Sequence, residues 1–360
     1  MDKNNFFEQR NNINILKMRK IRADLPKFAD DFFRGIENQT TVLTRLNYVY
    51  DLRIFFDFII NELLEFKGVT DFTLADMARI STTHIEMFME YLTFYKFRGN
   101  SYRNGERAKA RKLSAVRSFF KYYYNKDAIP SDVASKIAMP KIHDKEIVRL
   151  EVNEVVRLLN EVELGETLTK RQKFYHNETK IRDLAMMTLF LGTGIRISEC
   201  VGLNIEDVDF NVNGFIVTRK GGNRVILYFS DEVANTLRLY VDERKAMTEV
   251  NINEKALFIS MQKTRMSVRT VQQLVKKYSE IVTPLKKITP HKLRSTYGTN
   301  LYRETNDIYV VAEVLGHKDV NTTKKHYAAT SDEIRRNAAR KVKLRDNTIP
   351  IHDYEGLEEK

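Results

Sequence analysis

The sequence predicts a mainly α-helical protein of two domains, the second of which also contains a small antiparallel sheet. Apolar residues recur at helical spacing through 26–128, which predicts a helical bundle. Two prolines and a charged run mark 129–147 as a linker. Helical and β-like segments then alternate through 148–346, between a flexible start at 1–25 and a tail at 347–360. With 360 residues and 42% hydrophobic content, the chain is long enough for two cores.

The first domain is predicted to contain four amphipathic helices joined by short loops. They begin near Leu25, after Thr41, after Thr83 and near Gly105, and the last one extends to Tyr124. The third is expected to end near residue 95. The apolar positions with a helical period are Phe28, Phe32, Phe33 and Ile36, then Leu43, Leu46, Tyr50, Ile54 and Phe58, and finally Ala108, Leu113, Val116, Phe119, Phe120 and Tyr123.

Positive charge is concentrated around the fourth helix. The chain has 60 Lys and Arg against 48 Asp and Glu, a net charge of +12, and 14 basic against 5 acidic residues lie between Lys96 and Arg149. Such an excess favours a polyanionic partner, because bound phosphates release their counterions. Charge alone equally supports a merely solvated helix face. The candidate DNA-binding residues are Arg103, Arg107, Lys109, Arg111, Lys112, Arg117 and Lys121.

The second domain is predicted to mix helices with a small sheet. A first helix begins near Val152, and the polar stretch 161–180 is expected to be an inserted loop. The apolar run from Ile181 to Gly192 predicts a buried helix. Further elements are strands at 208–210, 215–217 and 225–228, a helix capped by Ser230 that extends to about Glu243, a short apolar piece at 257–259 and a helix at 268–282.

The stretch from Thr289 onward carries the strongest functional signal. Thr289 and Pro290 are a typical N-cap and first residue of a helix. His291 and Arg294 are three residues apart, so they share one face of its first turn, where the dipole favours an anion. Gly316 is a typical helix C-terminal residue.

His317 follows that glycine directly, and Asn321-Thr322-Thr323 then predicts the cap of a short helix that carries Tyr327. Taken one at a time, these residues have ordinary explanations. His317 is explained equally well as a helix cap, and Tyr327 as one core tyrosine among the 17 in the chain.

Two further basic residues complete the candidate set. Arg196 lies in an apolar neighbourhood, where an arginine must be paired, and Glu199 is three residues away. A structural salt bridge between these two residues is the simplest explanation. Lys220 is placed at the tip of the predicted hairpin, where lysines are commonly just solvated; Arg219 and Arg224 are the less favoured alternatives to it.

Together the boxes resemble the tyrosine recombinase (phage-integrase-like) family, and the resemblance to its Xer-type members extends from about residue 27 to 345. The carrying motifs are Arg196 with Glu199, Arg219-Lys220-Gly221-Gly222, His291-x-x-Arg294, Leu315-Gly316-His317 and Tyr327. The family more often has glycine before the lysine, and Arg219 departs from that pattern. The segment 109–120 resembles the family's helical (SAM-like) core-binding domain, which favours the DNA-contacting interpretation of the basic helix.

This resemblance implies a DNA strand-exchange enzyme. Tyr327 would be the nucleophile that forms a 3′-phosphotyrosyl link, and Lys220 would protonate the leaving 5′ oxygen. The non-bridging phosphate oxygens would be bound by Arg196, Arg294 and His317, and the phenol proton would be removed with the help of His291. Glu199 would orient Arg196. The implied partner is double-stranded DNA with an inverted-repeat-like site, bound by a tetramer on two such sites. The basic segment 331–345 would then dock on a neighbouring protomer.

The biological role follows less directly. Chromosome-dimer resolution is favoured, and integration of a mobile element or phage is the alternative. A type IB topoisomerase would use much the same residues, and an inactive DNA-binding protein would need only the basic helices. The single cysteine, Cys200, excludes an internal disulfide, and no Cys cluster predicts a zinc site. No cofactor, metal, signal peptide or membrane span is expected, which predicts a cytoplasmic protein.

Overall fold

The fold is described from a computed structural model over residues 6–63, 68–143, 148–219, 222–248, 250–251, 254–316, 319–320 and 323. The chain forms two compact units, Met1–Lys145 and Glu146–Lys360. Both are mainly helical, and the second contains a three-stranded antiparallel sheet. The predicted fold class is therefore confirmed. Among the described residues, no helix combines the length and the apolar character needed to cross a membrane.

The first unit is a helical bundle with a small hairpin. The predicted segments near Leu25, Thr41, Thr83 and Gly105 correspond to α2, α3, α5 and α6, and two further helices accompany them. The elements are α1 (Phe6–Arg22), α2 (Ala29–Gly35), α3 (Val42–Asn61), α4 (Leu74–Arg79), α5 (Thr82–Tyr91), β1 (Tyr95–Phe97), β2 (Asn100–Tyr102) and α6 (Glu106–Tyr124).

Aromatic side chains fill the core of this bundle. Phe32, Phe55 and Phe119 are fully buried, and the ring centroids of Phe32 and Phe119 lie 5.0 Å apart in an edge-to-face arrangement. Burying each such ring contributes about 1.5–3 kcal/mol. Phe32 and Phe119 are predicted core positions, but the face predicted for α3 is partly wrong, because Leu43 and Tyr50 are 46% and 37% exposed while Phe55 is buried. At the start of α3, the Thr41 side chain accepts the Thr44 backbone N–H at 3.2 Å, as the predicted cap requires.

Two further sequence predictions for this unit are wrong. Residues 6–22, predicted to be flexible, form the helix α1, which packs on α3 with Met18 buried and Ile21 against the same core. The third helix ends at Tyr91 because Tyr95 begins the β1–β2 hairpin.

The second unit combines seven helices with the sheet over its described residues. Its elements are α7 (Val152–Leu164), α8 (Lys170–Thr193), α9 (Ile197–Gly202), β3 (Val208–Asp209), β4 (Gly214–Thr218), β5 (Arg224–Tyr228), α10 (Asp231–Ala246), α11 (Val268–Val282), α12 (Pro290–Thr305) and α13 (Ile308–Leu315). The strands pair antiparallel in the order β3-β4-β5, with Phe215 opposite Leu227. These strands and α11 lie where the sequence predicts them.

The predicted loop at 161–180 is wrong for most of its length. Residues from Lys170 onward belong to α8, whose N-terminus is closed by a capping box between Thr169 and Gln172. His176 is buried in this helix, and its Nε2 lies 2.8 Å from the Val162 carbonyl oxygen. The polar residues of this stretch therefore cap α8 and connect it to α7, and they do not form an inserted loop.

Candidate active site

Arg196 begins α9 at the point where the long helix α8 has just ended. Gly194 terminates α8 with φ +62°, and a Cβ atom at this position would overlap the Tyr297 ring, so both conformation and space require glycine. The Arg196 Nη1 donates to Glu199 Oε1 at 2.8 Å, and the Arg196 backbone N–H donates to Oε2 at 3.0 Å. Glu199 is buried, so one carboxylate fixes both the backbone and the guanidinium of Arg196.

Arg294 approaches the same place from α12. Its side chain is buried, with 4% of the residue exposed, and its guanidinium donates to the carbonyl oxygens of Gly194 and Leu315. These oxygens belong to the C-terminal ends of α8 and α13. Burial of a guanidinium is costly without such acceptors, and the negative ends of two helix dipoles stabilise its charge.

The guanidinium groups of Arg196 and Arg294 both bind the C-terminal end of α13. Arg196 Nη2 donates to the carbonyl oxygens of Leu315 at 3.1 Å and Gly316 at 2.9 Å. The Leu315 carbonyl therefore accepts hydrogen bonds from both Arg196 and Arg294. The last turn of α13 therefore receives one arginine that lies 119 residues before Leu315 in the chain and one that lies 21 residues before it.

A third guanidinium, that of Arg219, lies at this helix end. Its Nη2 donates to the Val314 carbonyl at 2.7 Å, and its Nη1 lies 3.4 Å from the Glu313 carbonyl. Burial and, to a lesser extent, the like charge of Arg196 lower the pKa of Arg219, while Glu199 acts in the opposite direction. The sequence favours Lys220 over Arg219 as the catalytic residue of this hairpin, and the departure of Arg219 from the Gly-Lys pattern is the signal that its side chain has a role.

Of the remaining predicted catalytic residues, only His291 lies within the described part of the chain. His291 is exposed in the first turn of α12, one turn before Arg294. Lys220, His317 and Tyr327 lie outside the described residues, so their roles stay predictions. Of the other tyrosines in this region, Tyr297 packs against Val311 and Leu315, and burial raises its pKa. It therefore has a packing role.

The seven basic candidates on and beside α6 separate into two groups. Arg103, Arg107 and Lys121 are exposed, and the Lys109 ammonium donates to Thr93 Oγ1 at 2.8 Å near the surface. Their positions are compatible with phosphate contacts. Arg117 instead donates to backbone carbonyls, those of Ala134 at 3.2 Å and Ser135 at 3.3 Å among them.

Lys112 departs from the expectation of an exposed basic face. Only 4% of it is exposed, and its Nζ lies 3.9 Å from Asp51 Oδ1 and 3.4 Å from Asn104 Oδ1. The half-exposed Arg111 also pairs with Asp51. Burial raises the pKa of Asp51 to about 6, although both cations oppose that shift. Helical spacing carries the signal, because Lys112 precedes Val116 by four residues and shares its buried stripe.

The described part of the chain contains no group of three or more His, Cys, Asp or Glu residues that could hold a metal ion. Cys200 is buried beside Glu199, and burial raises the pKa of its thiol. What the described site offers is a cluster of fixed guanidinium donors, a set suited to a phosphate group.

Comparison with known sequences gives a consistent assignment. Residues 148–333 match the family model described as the phage integrase family. The tyrosine recombinase XerC of Caldanaerobacter subterraneus subsp. tengcongensis is 31% identical over 297 residues, covering 80% of this chain and 78% of the relative. The tyrosine recombinase XerS of Streptococcus agalactiae is 28% identical over 342 residues, covering 88% of this chain and 96% of the relative.

Solved structures share the fold. The XerH site-specific recombinase bound to palindromic difH substrate, a post-cleavage complex, has a TM-score of 0.63 at 17% identity and covers 84% of this chain and 80% of that chain. The Tn1549 transposon integrase in complex with circular intermediate DNA has a TM-score of 0.60 at 18% identity, covering 86% of this chain and 97% of that chain. At these identities the likeness concerns the fold alone.

Proposed function

We propose that this chain, which belongs to the phage integrase family and is a tyrosine recombinase of the Xer type, cuts and rejoins DNA through Tyr327. The observation that carries the proposal is the convergence of Arg196 and Arg294 on the Leu315 carbonyl, at the end of the helix that precedes His317. Two arginines fixed at one helix end can bind the non-bridging oxygens of a phosphate.

In the proposed reaction, the Tyr327 phenol oxygen attacks the scissile phosphorus and the bond from phosphorus to the 5′ oxygen breaks. The products are a 3′-phosphotyrosyl link and a free 5′ hydroxyl. Arg196, Arg294 and His317 stabilise the charge that develops on the non-bridging oxygens. His291 accepts the phenol proton, and the Lys220 ammonium donates a proton to the departing oxygen.

The energy of the broken phosphodiester is kept in the phosphotyrosyl bond. A 5′ hydroxyl from a partner strand can attack this bond, release Tyr327 and complete a strand exchange. Neither cleavage nor rejoining needs a nucleotide cofactor, because the number of phosphoester bonds is unchanged. The buried Glu199 contributes by holding Arg196 in one orientation, which lowers the reorganisation needed when phosphate binds.

For the DNA partner, we propose an inverted-repeat-like site bound by two protomers, with two such sites joined in a tetramer. The exposed basic residues Arg103, Arg107 and Lys121 would contact phosphates from the first unit. Resolution of chromosome dimers in the cytoplasm is the favoured role. What supports an Xer-type role is the similarity to the tyrosine recombinases XerC and XerS over 80% and 88% of this chain.

The proposal is tested by sequencing DNA that stays covalently attached to the protein after denaturing extraction from cells. Recovery of one or a few chromosomal loci with an inverted repeat is the expected result. Junctions of an inserted element would favour integration, and scattered sites without a common sequence would favour a type IB topoisomerase. Failure to recover any covalent DNA, with DNA binding intact, would contradict strand cleavage and leave a binding protein.

A further inference from the structure

Arg219 stands at the base of the hairpin tip that carries Lys220. Its backbone N–H donates to the Asn223 carbonyl at 2.8 Å, and its own carbonyl accepts the Gly222 N–H at 3.0 Å. Arg219 therefore belongs to the last fixed turn of the β4–β5 hairpin, directly before Lys220. Anything that anchors the Arg219 side chain also limits where this tip can lie.

The side chain is anchored on a different part of the fold. Its guanidinium reaches residues 94 and 95 positions later, donating to the Val314 carbonyl at 2.7 Å and lying 3.4 Å from that of Glu313. A Cβ atom at Gly316 would overlap the same guanidinium. Arg219 thus packs directly on the glycine of the Leu315-Gly316-His317 box, at the negative end of α13.

The three arginines occupy different carbonyls of one helix end. Arg196 and Arg294 take the last carbonyls, of Leu315 and Gly316, whereas Arg219 takes those just before them. Its Nε is buried and has no hydrogen-bond partner among the described residues. Arg219 therefore contacts the same helix end as the two arginines proposed to bind phosphate.

We infer that Arg219 is a positioning residue, which ties the Lys220 hairpin to the C-terminal end of α13 and so sets the general acid beside the phosphate-binding arginines. The inference rests on the proposed function, in which Lys220 protonates the leaving 5′ oxygen. Lysine has a flexible four-carbon side chain, and a general acid acts only when it is held within hydrogen-bond reach of the leaving oxygen. A glycine at 219 would leave the tip without this contact.

The test compares cleavage of two substrates that carry the DNA site recovered by covalent capture. In one substrate the bridging 5′ oxygen is normal, and in the other it is sulfur, which leaves without a proton. Arg219→Ala should slow cleavage of the oxygen substrate by up to about a hundred-fold, the loss expected from a misplaced catalytic group. On the sulfur substrate, Arg219→Ala and Lys220→Ala should both regain most of the wild-type cleavage rate. Arg196→Ala should cleave both substrates slowly.

A double variant separates an indirect role from a direct one. If Arg219 acts only through Lys220, Arg219→Ala combined with Lys220→Ala should cleave no more slowly than Lys220→Ala alone. Arg219→Lys, which keeps the charge but loses the forked contact, should fall between wild type and Arg219→Ala. The matched control is Arg269→Ala, an exposed arginine on α11 with no ion pair to any described residue, and it should cleave like wild type.

Different cleavage rates would contradict the assignment of Lys220 as the acid and the positioning role of Arg219. Lys220→Ala cleaving at the wild-type rate would overturn the assignment of the acid, and with it the inference. A slow Lys220→Ala together with an Arg219→Ala that matches the Arg269→Ala control would overturn the inference alone. Multiplied losses in the double variant, or an Arg219→Ala loss that sulfur does not restore, would overturn the positioning role and make Arg219 a direct phosphate contact.

Discussion

Replacing Glu199 with glutamine should weaken both the fold and the chemistry, because this carboxylate is the only described acidic partner in an ion pair with Arg196. It accepts from the Arg196 Nη1 at 2.8 Å and from the Arg196 backbone N–H at 3.0 Å, and its side chain is 4% exposed. A glutamine of the same shape offers one acceptor oxygen in place of two. Its NH₂ group would then face one of these two donors.

The size of the effect follows from these contacts. Losing one charge-assisted hydrogen bond in a buried site costs about 1.5–3 kcal/mol. Removing one partner of a fully buried ion pair costs about 3–5 kcal/mol. The Arg196 side chain is 35% exposed, so water compensates part of the loss and the lower range applies. We expect the unfolding free energy to fall by about 2 kcal/mol and cleavage to slow by about ten- to a hundred-fold.

Urea denaturation of Glu199→Gln, with covalent-complex formation measured in parallel, checks this expectation. The matched control is Glu280→Gln, which removes an exposed ion pair with Lys276 at 3.4 Å and should change stability by less than about 1 kcal/mol. If the two variants were equally stable and equally active, the reasoning that Glu199 holds Arg196 in place would be refuted.

Three further perturbations follow from the structure. The pKa of Asp51 is raised to about 6 in the folded protein from an unfolded value near 3.8, so folding disfavours its ionised form. As pH rises from about 4 to 6, the unfolding free energy of wild type should therefore fall by up to about 3 kcal/mol relative to that of Asp51→Asn. A difference between the two proteins that does not change with pH would contradict this. Neutralising the exposed Arg103, Arg107 and Lys121 should flatten the salt dependence of DNA binding by about 0.9 per lost phosphate contact, whereas Lys112→Met should leave that slope unchanged, and the opposite pattern would refute the surface assignment. Gly316 has φ +62° and lies against Arg219, so Gly316→Ala should lower the unfolding free energy by about 1–2 kcal/mol in a denaturant titration. An unchanged unfolding free energy would contradict the close packing of Arg219 on Gly316.

Local patterns in the sequence predicted the elements that depend on neighbouring residues. The cap at Thr41, the hairpin strands β4 and β5, and the helix end at Gly316 were predicted from short segments, and each is confirmed. The pairing of Arg196 with Glu199 was also accessible, because the two are one helical turn apart.

Long-range contacts could not be predicted in this way. The departure of Arg219 from the Gly-Lys pattern marks the residue as unusual, but it does not indicate the partner of the guanidinium, because the contact with the end of α13 spans 95 residues. Helical spacing places Lys112 on the buried stripe of α6, but its acidic partner Asp51 lies on another helix, α3, and could not be identified from nearby residues. Helix α1 was missed because its polar composition outweighed the few apolar residues, such as Met18, that pack on α3.

The measurement that tests the central claim most directly is the covalent complex of Tyr327→Phe. This change removes one oxygen atom, so the variant should bind the captured DNA site with the wild-type affinity in a mobility-shift assay. On a denaturing gel, however, it should show no protein–DNA adduct, while wild type and a Tyr309→Phe control at the exposed start of α13 should show one. An adduct that persists in Tyr327→Phe would contradict the account, because the nucleophile would then be another residue.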